Sequence, residues 1–158
     1  MTILQGKKGL IMGVANNKSI AWGIAEEAKK YGAELAFTYQ GEALKKRVEP
    51  LAKSVNSDIV IPCDVTDDES VKNVFVELEK KWGKLDFVVH AIAYSDKEEL
   101  RGKYLDTSDN NFTNTMNISA FSLVKVAKHA ENLLKKSDSG SIITLSYYGA
   151  EKVMPHYN

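Results

Sequence analysis

Short apolar runs alternate along the chain with longer amphipathic stretches. Residues 9–12, Gly-Leu-Ile-Met, form an apolar run that predicts a buried parallel strand. Gly13 follows where that strand must turn, then a polar loop, Ala15-Asn16-Asn17-Lys18. Ser19 stands as the N-cap of a helix over 20–31, with Ile20, Ile24, Ala28 and Tyr31 on one stripe and Gly32 at the C′ position. Residues 33–39 predict a second strand. The next helix, over 42–55, contains Pro50 and is expected to kink or break near Glu49. Residues 58–61 are a third strand, and Thr66-Asp-Asp-Glu69 is a capping box opening a third helix. Val71, Val74, Phe75, Leu78 and Trp82 are that helix's core stripe. Residues 85–92 are a fourth strand, with His90 expected inside the core and bonded to backbone. Ser108 caps a long helix whose buried face is expected to hold Phe112, Met116, Ala120, Leu123, Val124 and Ala127. That helix is long enough for a further face to pack on a partner subunit. A Ser139-Gly140 turn leads to a fifth strand over 141–146.

Strand and helix in regular alternation predict an α/β fold: a Rossmann-like doubly wound parallel sheet, one dinucleotide-binding domain over 1–158, with ligands bound at the C-terminal strand ends. Composition narrows the setting. Twenty-one basic side chains balance twenty-one acidic ones. The chain therefore has no long-range field to draw in nucleic acid or an anionic membrane, and neither is expected as a partner. Cys63 is the only cysteine, so an intrachain disulfide is impossible. No apolar run is long enough to span a membrane, and the first residues carry no signal-peptide core. A cytoplasmic protein is expected, and no metal site.

Candidate chemistry clusters at the predicted strand ends. A strand, a glycine turn at Gly13 and a helix N-terminus at Ser19 make an anion site, because unpaired N–H groups and the helix dipole both favour negative charge there. The G-x-G-x-x-G fingerprint is absent, and Ala21 and Gly23 stand where close helix–strand approach would need small residues. Gln40, at the end of the second strand, can bond an adenosine ribose, while Glu42 would repel a 2′-phosphate. This favours NADH over NADPH. Asp64 can accept the adenine amino group or serve simply as a turn residue.

The last stretch carries Tyr147, Tyr148 and Tyr157 just past a strand end. Tyr148-Gly-Ala-Glu-Lys152 spells the Y-x-x-x-K pair of short-chain dehydrogenases. It stands too close to the strand end to lie on a following helix. Those enzymes place a serine about a dozen residues before the tyrosine. Counting from Thr144 or Ser146 points to Tyr157, with Pro155 at the start of the next helix.

The chain resembles the NADH-dependent enoyl-[acyl-carrier-protein] reductases of bacterial type II fatty-acid synthesis, divergent short-chain dehydrogenases/reductases. The matching stretches are Gly13-Val-Ala-x-x-x-Ser-Ile-Ala-x-Gly23, Glu34-Leu-Ala-Phe-Thr-Tyr-Gln40, Cys63-Asp-Val65, Val89-His-x-Ile92, and Leu145-Ser-Tyr-x-Gly-Ala-Glu-Lys152 with Pro155-x-Tyr-Asn158. The resemblance implies that Gly13, Ser19 and Ile20 hold the pyrophosphate and nearby ribose of NADH, with Gln40 beside the adenosine ribose. Asp64 and Val65 would contact adenine and Ile92 the middle of the cofactor. Ser95 stands at a substrate-contacting position that is often alanine. Tyr157 would bond the thioester carbonyl of a trans-2-enoyl group on acyl carrier protein, and Tyr147 would line the acyl pocket. A homotetramer is implied. The family also carries a lysine after the second tyrosine, further strands and a segment covering the substrate. A polypeptide truly ending at Asn158 would lack these, expose the core side of its last strand and be expected not to turn over. Two other readings are a 3-oxoacyl thioester ketoreductase using Tyr148 and Lys152, and a non-catalytic NAD-binding module.

Overall fold

The computed structural model describes residues 2–155 and 157. Five strands form one parallel sheet in the order β3-β2-β1-β4-β5: β1 (Lys8–Met12), β2 (Glu34–Tyr39), β3 (Val60–Pro62), β4 (Phe87–His90) and β5 (Ser141–Thr144). Registers follow from the central strand, where Gly9 stands opposite Leu35 on one side and Phe87 on the other. At the far end His90 pairs with Met12 and with Thr144. The expected doubly wound sheet is present, with the outer strands shorter than their apolar runs.

Alternation along β1 sorts the core into two layers, as a strand period of two requires. Leu10 and Met12 face α3 (Asp68–Trp82) and α5 (Ser122–Leu134), against Val71, Val74, Leu78 and Val126. Ile11 faces α1 (Ile20–Lys30) and α2 (Gly41–Ser54), against Ala25, Phe37, Val48 and Ala52. Helix α4 (Asp109–Met116) joins α5 through a five-residue π-helical turn, Asn117–Phe121. The one long helix expected from Ser108 is therefore two helices with a widened turn between them. Ser108 is its cap as expected, accepting the Asn111 N–H at 3.1 Å.

Several local expectations need correction. Helix α2 runs unbroken through Pro50: Pro50 and Lys46, whose carbonyl Pro50 leaves unpaired, are both exposed, so water can serve that carbonyl. The cap of α3 is Asp67, accepting the Glu69 N–H at 3.0 Å, because the Thr66 hydroxyl is committed to Asp64. Trp82 is only half-buried, with the Lys8 ammonium 5.9 Å from its ring. Gly23 is exposed with open space around it, so only Ala21 needs to be small.

Two helices bury a different face from the expected one. The buried side of α1 is Ala21, Trp22, Ala25 and Ala28, whereas Ile20 and Tyr31 are exposed. The buried side of α5 is Ser122, Val126, Ala130 and Leu133, whereas Phe112, Met116 and Val124 face outward. Ile143 is half-exposed beside an apolar groove of about 780 Å³ shared with Leu4, Ile20, Ile24, Tyr31 and Phe87. Among the described residues no helix is long and apolar enough to cross a membrane, and no group of three His, Cys, Asp or Glu is placed to hold a metal ion.

Candidate active site

The C-terminal edge of the sheet opens into a crevice of about 280 Å³ lined by Gly13, Gln40, Cys63, Val65, Ile92 and Tyr94. Gly13 makes it possible. Its φ is +96°, and a Cβ there would lie 1.9 Å from the Ala91 carbonyl oxygen. Any larger residue would be strained and would drive the β1 turn off β4.

Ser19 sits at the N-cap of α1, but its hydroxyl does not cap the helix. It accepts the N–H groups of Ala15 (3.0 Å) and Asn16 (3.1 Å), folding the loop back on itself. No side chain caps the first turn of α1 and no acid stands in it; the Trp22 and Gly23 N–H groups bond the Ser19 carbonyl at 2.9 and 3.2 Å, which leaves those of Ile20 and Ala21 for an anion. The close turn that Gly13 allows and the unpaired N–H groups at the start of α1 together fit a dinucleotide pyrophosphate. The Ile20 side chain lines the groove behind α1, so only its backbone N–H is offered to the loop.

Gln40 and Asp64 meet beside the ends of β2 and β3. The Gln40 Nε2 donates to Asp64 Oδ2 at 3.0 Å. Asp64 Oδ1 accepts the Thr66 hydroxyl (2.7 Å) and the Thr66 N–H (2.9 Å). The Thr66 hydroxyl bond, joined by the Thr66 amide and Gln40, holds the Asp64 carboxyl below the usual carboxylate range against the effect of burial. A carboxylate offers about four acceptor positions. Three protein bonds leave Asp64 room for one more donor, such as an adenine amino group. Asp64 is thus both a turn residue and a candidate ligand. Cys63, beside it, is no nucleophile: burial, aided by Asp64 and Asp67, pushes its thiol up to about 12.

His90 is buried, as expected, but side chains rather than backbone satisfy it. Its Nε2 lies 2.8 Å from Ser122 Oγ, and Ser122 donates onward to the Ile118 carbonyl at 2.6 Å. The Ser122 proton being committed, His90 Nε2 must be the donor and Nδ1 the acceptor of the Thr144 hydroxyl at 3.3 Å. Burial lowers its pKa, which keeps the ring neutral.

Tyr147 and Tyr157 are brought together, ring centroids 5.3 Å apart and tilted by 53°. Both are about half-exposed, 51% and 53%, and neither lines the crevice. The Tyr157 N–H bonds the Met154 carbonyl at 3.2 Å; His156 and Asn158, which the helix expected from Pro155 would include, lie outside the described residues. The Ser95 hydroxyl accepts from Asn111 Nδ2 (3.3 Å) and Thr115 Oγ1 (3.1 Å), which ties it to α4. Sequence reasoning passed over Ala15, Cys63 and Tyr94; each lies within four residues of a strand end, which is the signal that could have found them.

A family model described as enoyl-(acyl carrier protein) reductase matches residues 13–158. The chain belongs to this family. It is 60% identical over 156 residues to an enoyl-[acyl-carrier-protein] reductase [NADH] of Rhizobium meliloti, covering 99% of this chain and 57% of that protein. The crystal structure of FabI from Candidatus Liberibacter asiaticus superposes with a TM-score of 0.96 at 51% identity, covering all of this chain and 60% of the other. An Anaplasma phagocytophilum enoyl-(acyl-carrier-protein) reductase solved in complex with NAD gives 0.93 at 57% identity, covering 98% of this chain and 59% of the other. The chain therefore spans a little under three fifths of the relatives it matches.

Proposed function

We propose that this chain forms the cofactor-binding part of an NADH-dependent reductase of trans-2-enoyl-[acyl-carrier-protein], working at the last step of each fatty-acid elongation cycle, and that residues 1–158 make one dinucleotide-binding domain. The observation that carries the reading is the convergence of Gly13, Gln40, Asp64, Val65 and Ile92 on one sheet edge, in a family whose named relatives use NADH. Gly13 and the first-turn N–H groups behind Ser19 and Ile20 would hold the pyrophosphate. Gln40 would take the adenosine ribose, and Asp64 and Val65 the adenine. Glu42, on the first turn of α2, disfavours a 2′-phosphate. Ile92 would pack against the middle of the cofactor.

Bound NADH would supply hydride to the β-carbon of the enoyl thioester. The Tyr157 hydroxyl would donate a hydrogen bond to the thioester oxygen, stabilising the enolate charge that develops there before protonation at the α-carbon. Tyr147, packed at a tilt against Tyr157, would fix its ring and line the acyl pocket, and Ser95 would contact the substrate. The partner is acyl carrier protein bearing the enoyl group, the setting the cytoplasm. The outward apolar stripe of Phe112, Met116, Phe121 and Val124 supports assembly into a homotetramer.

The test is NADH oxidation by the full-length protein with a trans-2-enoyl thioester and a 3-oxoacyl thioester in parallel. Oxidation with the enoyl substrate is expected; oxidation with the 3-oxoacyl substrate alone would overturn the reading in favour of a ketoreductase. Tyr157→Phe is expected to lower kcat about a hundredfold, the scale of one lost oxyanion donor, while NADH affinity stays unchanged.

A further inference from the structure

Three polar residues of the π turn and α5 stand three apart, Ser119, Ser122 and Lys125, and so share one stripe of the helix surface. Each reaches into the strand-end loops that line the crevice. The Ser119 hydroxyl accepts the Tyr94 N–H at 3.0 Å and donates to the Tyr94 carbonyl at 3.1 Å. Tyr94 lies beyond the end of β4, where no neighbouring strand pairs its peptide groups, and a single hydroxyl satisfies both. Ser122 holds His90 at the end of the same strand. Between these two anchors lie Ala91, Ile92 and Ala93, which line the crevice.

Lys125 does the same for β3. Its ammonium donates to the carbonyls of Val65 (3.0 Å) and Thr66 (3.3 Å), with the Phe121 ring 5.6 Å away. Its position is not simply that of a counter-ion. The nearby acid on α3, Asp68, is bonded by His129 at 3.0 Å, with Lys128 at 3.8 Å. A cation just ahead of a helix N-terminus is also disfavoured by the helix dipole. Lys125 also feels the charges of Asp64 and Asp68, but its direct hydrogen bonds go to the two carbonyls, and these fix the segment that carries Asp64 and Val65.

We infer that Lys125 and Ser119 are positioning residues for the nucleotide crevice: Lys125 sets the adenine wall through Val65 and Thr66, and Ser119 sets the wall at the middle of the cofactor through Tyr94. This rests on the NADH reading above. Neither residue touches the crevice cavity; each acts through backbone that does.

The experiment compares binding of NADH and of AMP to the full-length protein and its variants, with thermal unfolding followed alongside. Lys125→Met keeps the aliphatic stem and removes the ammonium on a half-exposed helix position, so the fold survives. It is expected to weaken NADH and AMP alike, by about fivefold, the worth of one net hydrogen bond. Ser119→Ala is expected to weaken NADH by a similar factor and leave AMP unchanged, and Ser119→Thr to restore NADH binding. A merely structural role would lower the melting temperature without separating the two ligands. An AMP affinity within twofold of the unaltered protein in Lys125→Met overturns the inference, as does an equal loss of both ligands in Ser119→Ala. Failure of the unaltered protein to bind NADH overturns the proposed function itself.

Discussion

Two aspartates stand at opposite edges of one sheet, and their bonding differs in a way that separates structure from ligand chemistry. Asp86, at the N-terminal edge, is 2% exposed. Its Oδ2 accepts the Lys8 N–H at 2.8 Å, and its Oδ1 accepts the Ser137 hydroxyl at 2.6 Å and the ammonium groups of Lys7 (3.3 Å) and Lys84 (3.4 Å). Every acceptor position is answered from within the protein, and the residue ties β1, β4 and the approach to β5 together. Asp64, at the C-terminal edge, is half-buried and keeps one acceptor position free. A saturated carboxylate is a clamp, whereas one with spare capacity beside a crevice can receive a ligand. The same sheet is thus closed by charge at one edge and left open to chemistry at the other.

The largest effect is expected from closing the open edge. Gly13→Val would place a branched side chain at φ +96° and into the Ala91 carbonyl. The expected cost is about 4 kcal/mol or more of unfolding free energy, read by urea denaturation, together with loss of NADH binding. A folded Gly13→Val protein that still binds NADH would mean that the β1 turn does not form the cofactor cradle.

At the closed edge, Asp86→Asn is expected to cost about 2 kcal/mol, since it removes the charge that the Lys7 and Lys84 ammonium groups pair with and turns one acceptor oxygen into an N–H₂ donor, while the NADH affinity of the folded molecule stays the same. The pH dependence has a definite sign. Burial alone would push the Asp86 carboxyl up. The Ser137 hydroxyl, the Lys8 amide and the ammonium groups of Lys7 and Lys84 outweigh it and hold the pKa down, from 3.8 to about 2. A carboxyl with a lowered folded-state pKa stabilises the protein above its unfolded pKa. That stability, about 2 kcal/mol, is fully present above about pH 4 and lost as pH falls toward 2. Acid unfolding of Asp86→Asn should lack this component, and an identical acid profile would remove Asp86 from its role as clamp.

A gentler change at the open edge is Asp64→Asn. It keeps the shape, halves the acceptor capacity and presents an N–H₂ group toward Thr66 or Gln40. NADH affinity is expected to fall about fivefold to tenfold with stability nearly unchanged, measured by titration and thermal unfolding. A loss of stability without loss of affinity would make Asp64 a second clamp and erase the difference between the two edges.

Much of this was legible in the sequence because strand ends are. Each apolar run closes on a residue that proves to stand at the C-terminal edge: Gly13, Gln40, Asp64 and Ile92. The faces of α1 and α5 were not legible, because both helices are apolar on two sides. Periodicity finds the stripe of Ile20, Ile24 and Tyr31 as readily as that of Trp22, Ala25 and Ala28, and only packing against Ile11 and Phe37 decides between them. On α5 the buried side includes Ser122, a polar residue that burial tolerates only because His90 and the Ile118 carbonyl satisfy it. The bond to His90, and the reach of Ser119 to Tyr94 and of Lys125 to Val65, join residues far apart in the chain, where no local pattern records them.

The smallest expected effect concerns the Y-x-x-x-K pair. Tyr148 begins a short 3₁₀ turn, Tyr148–Ala150, and the Lys152 N–H bonds its carbonyl at 3.2 Å. That bond is between backbones. Among the described residues no bond joins the Tyr148 hydroxyl to the Lys152 ammonium, and Tyr148 is 65% exposed, whereas Tyr147 packs against Tyr157. A hydroxyl that acts on substrate must be held in place, since a small misplacement costs rate steeply. Tyr148 is the least held of the three tyrosines. Tyr148→Phe should therefore leave kcat and KM of the full-length protein within about twofold of the unaltered enzyme on an enoyl thioester, a change no larger than a typical neutral surface substitution. A loss of a hundredfold in Tyr148→Phe with Tyr157→Phe still active would exchange the roles of the two residues. The reaction would then belong with the 3-oxoacyl reductases, because Tyr148 and Lys152 are the pair such an enzyme needs.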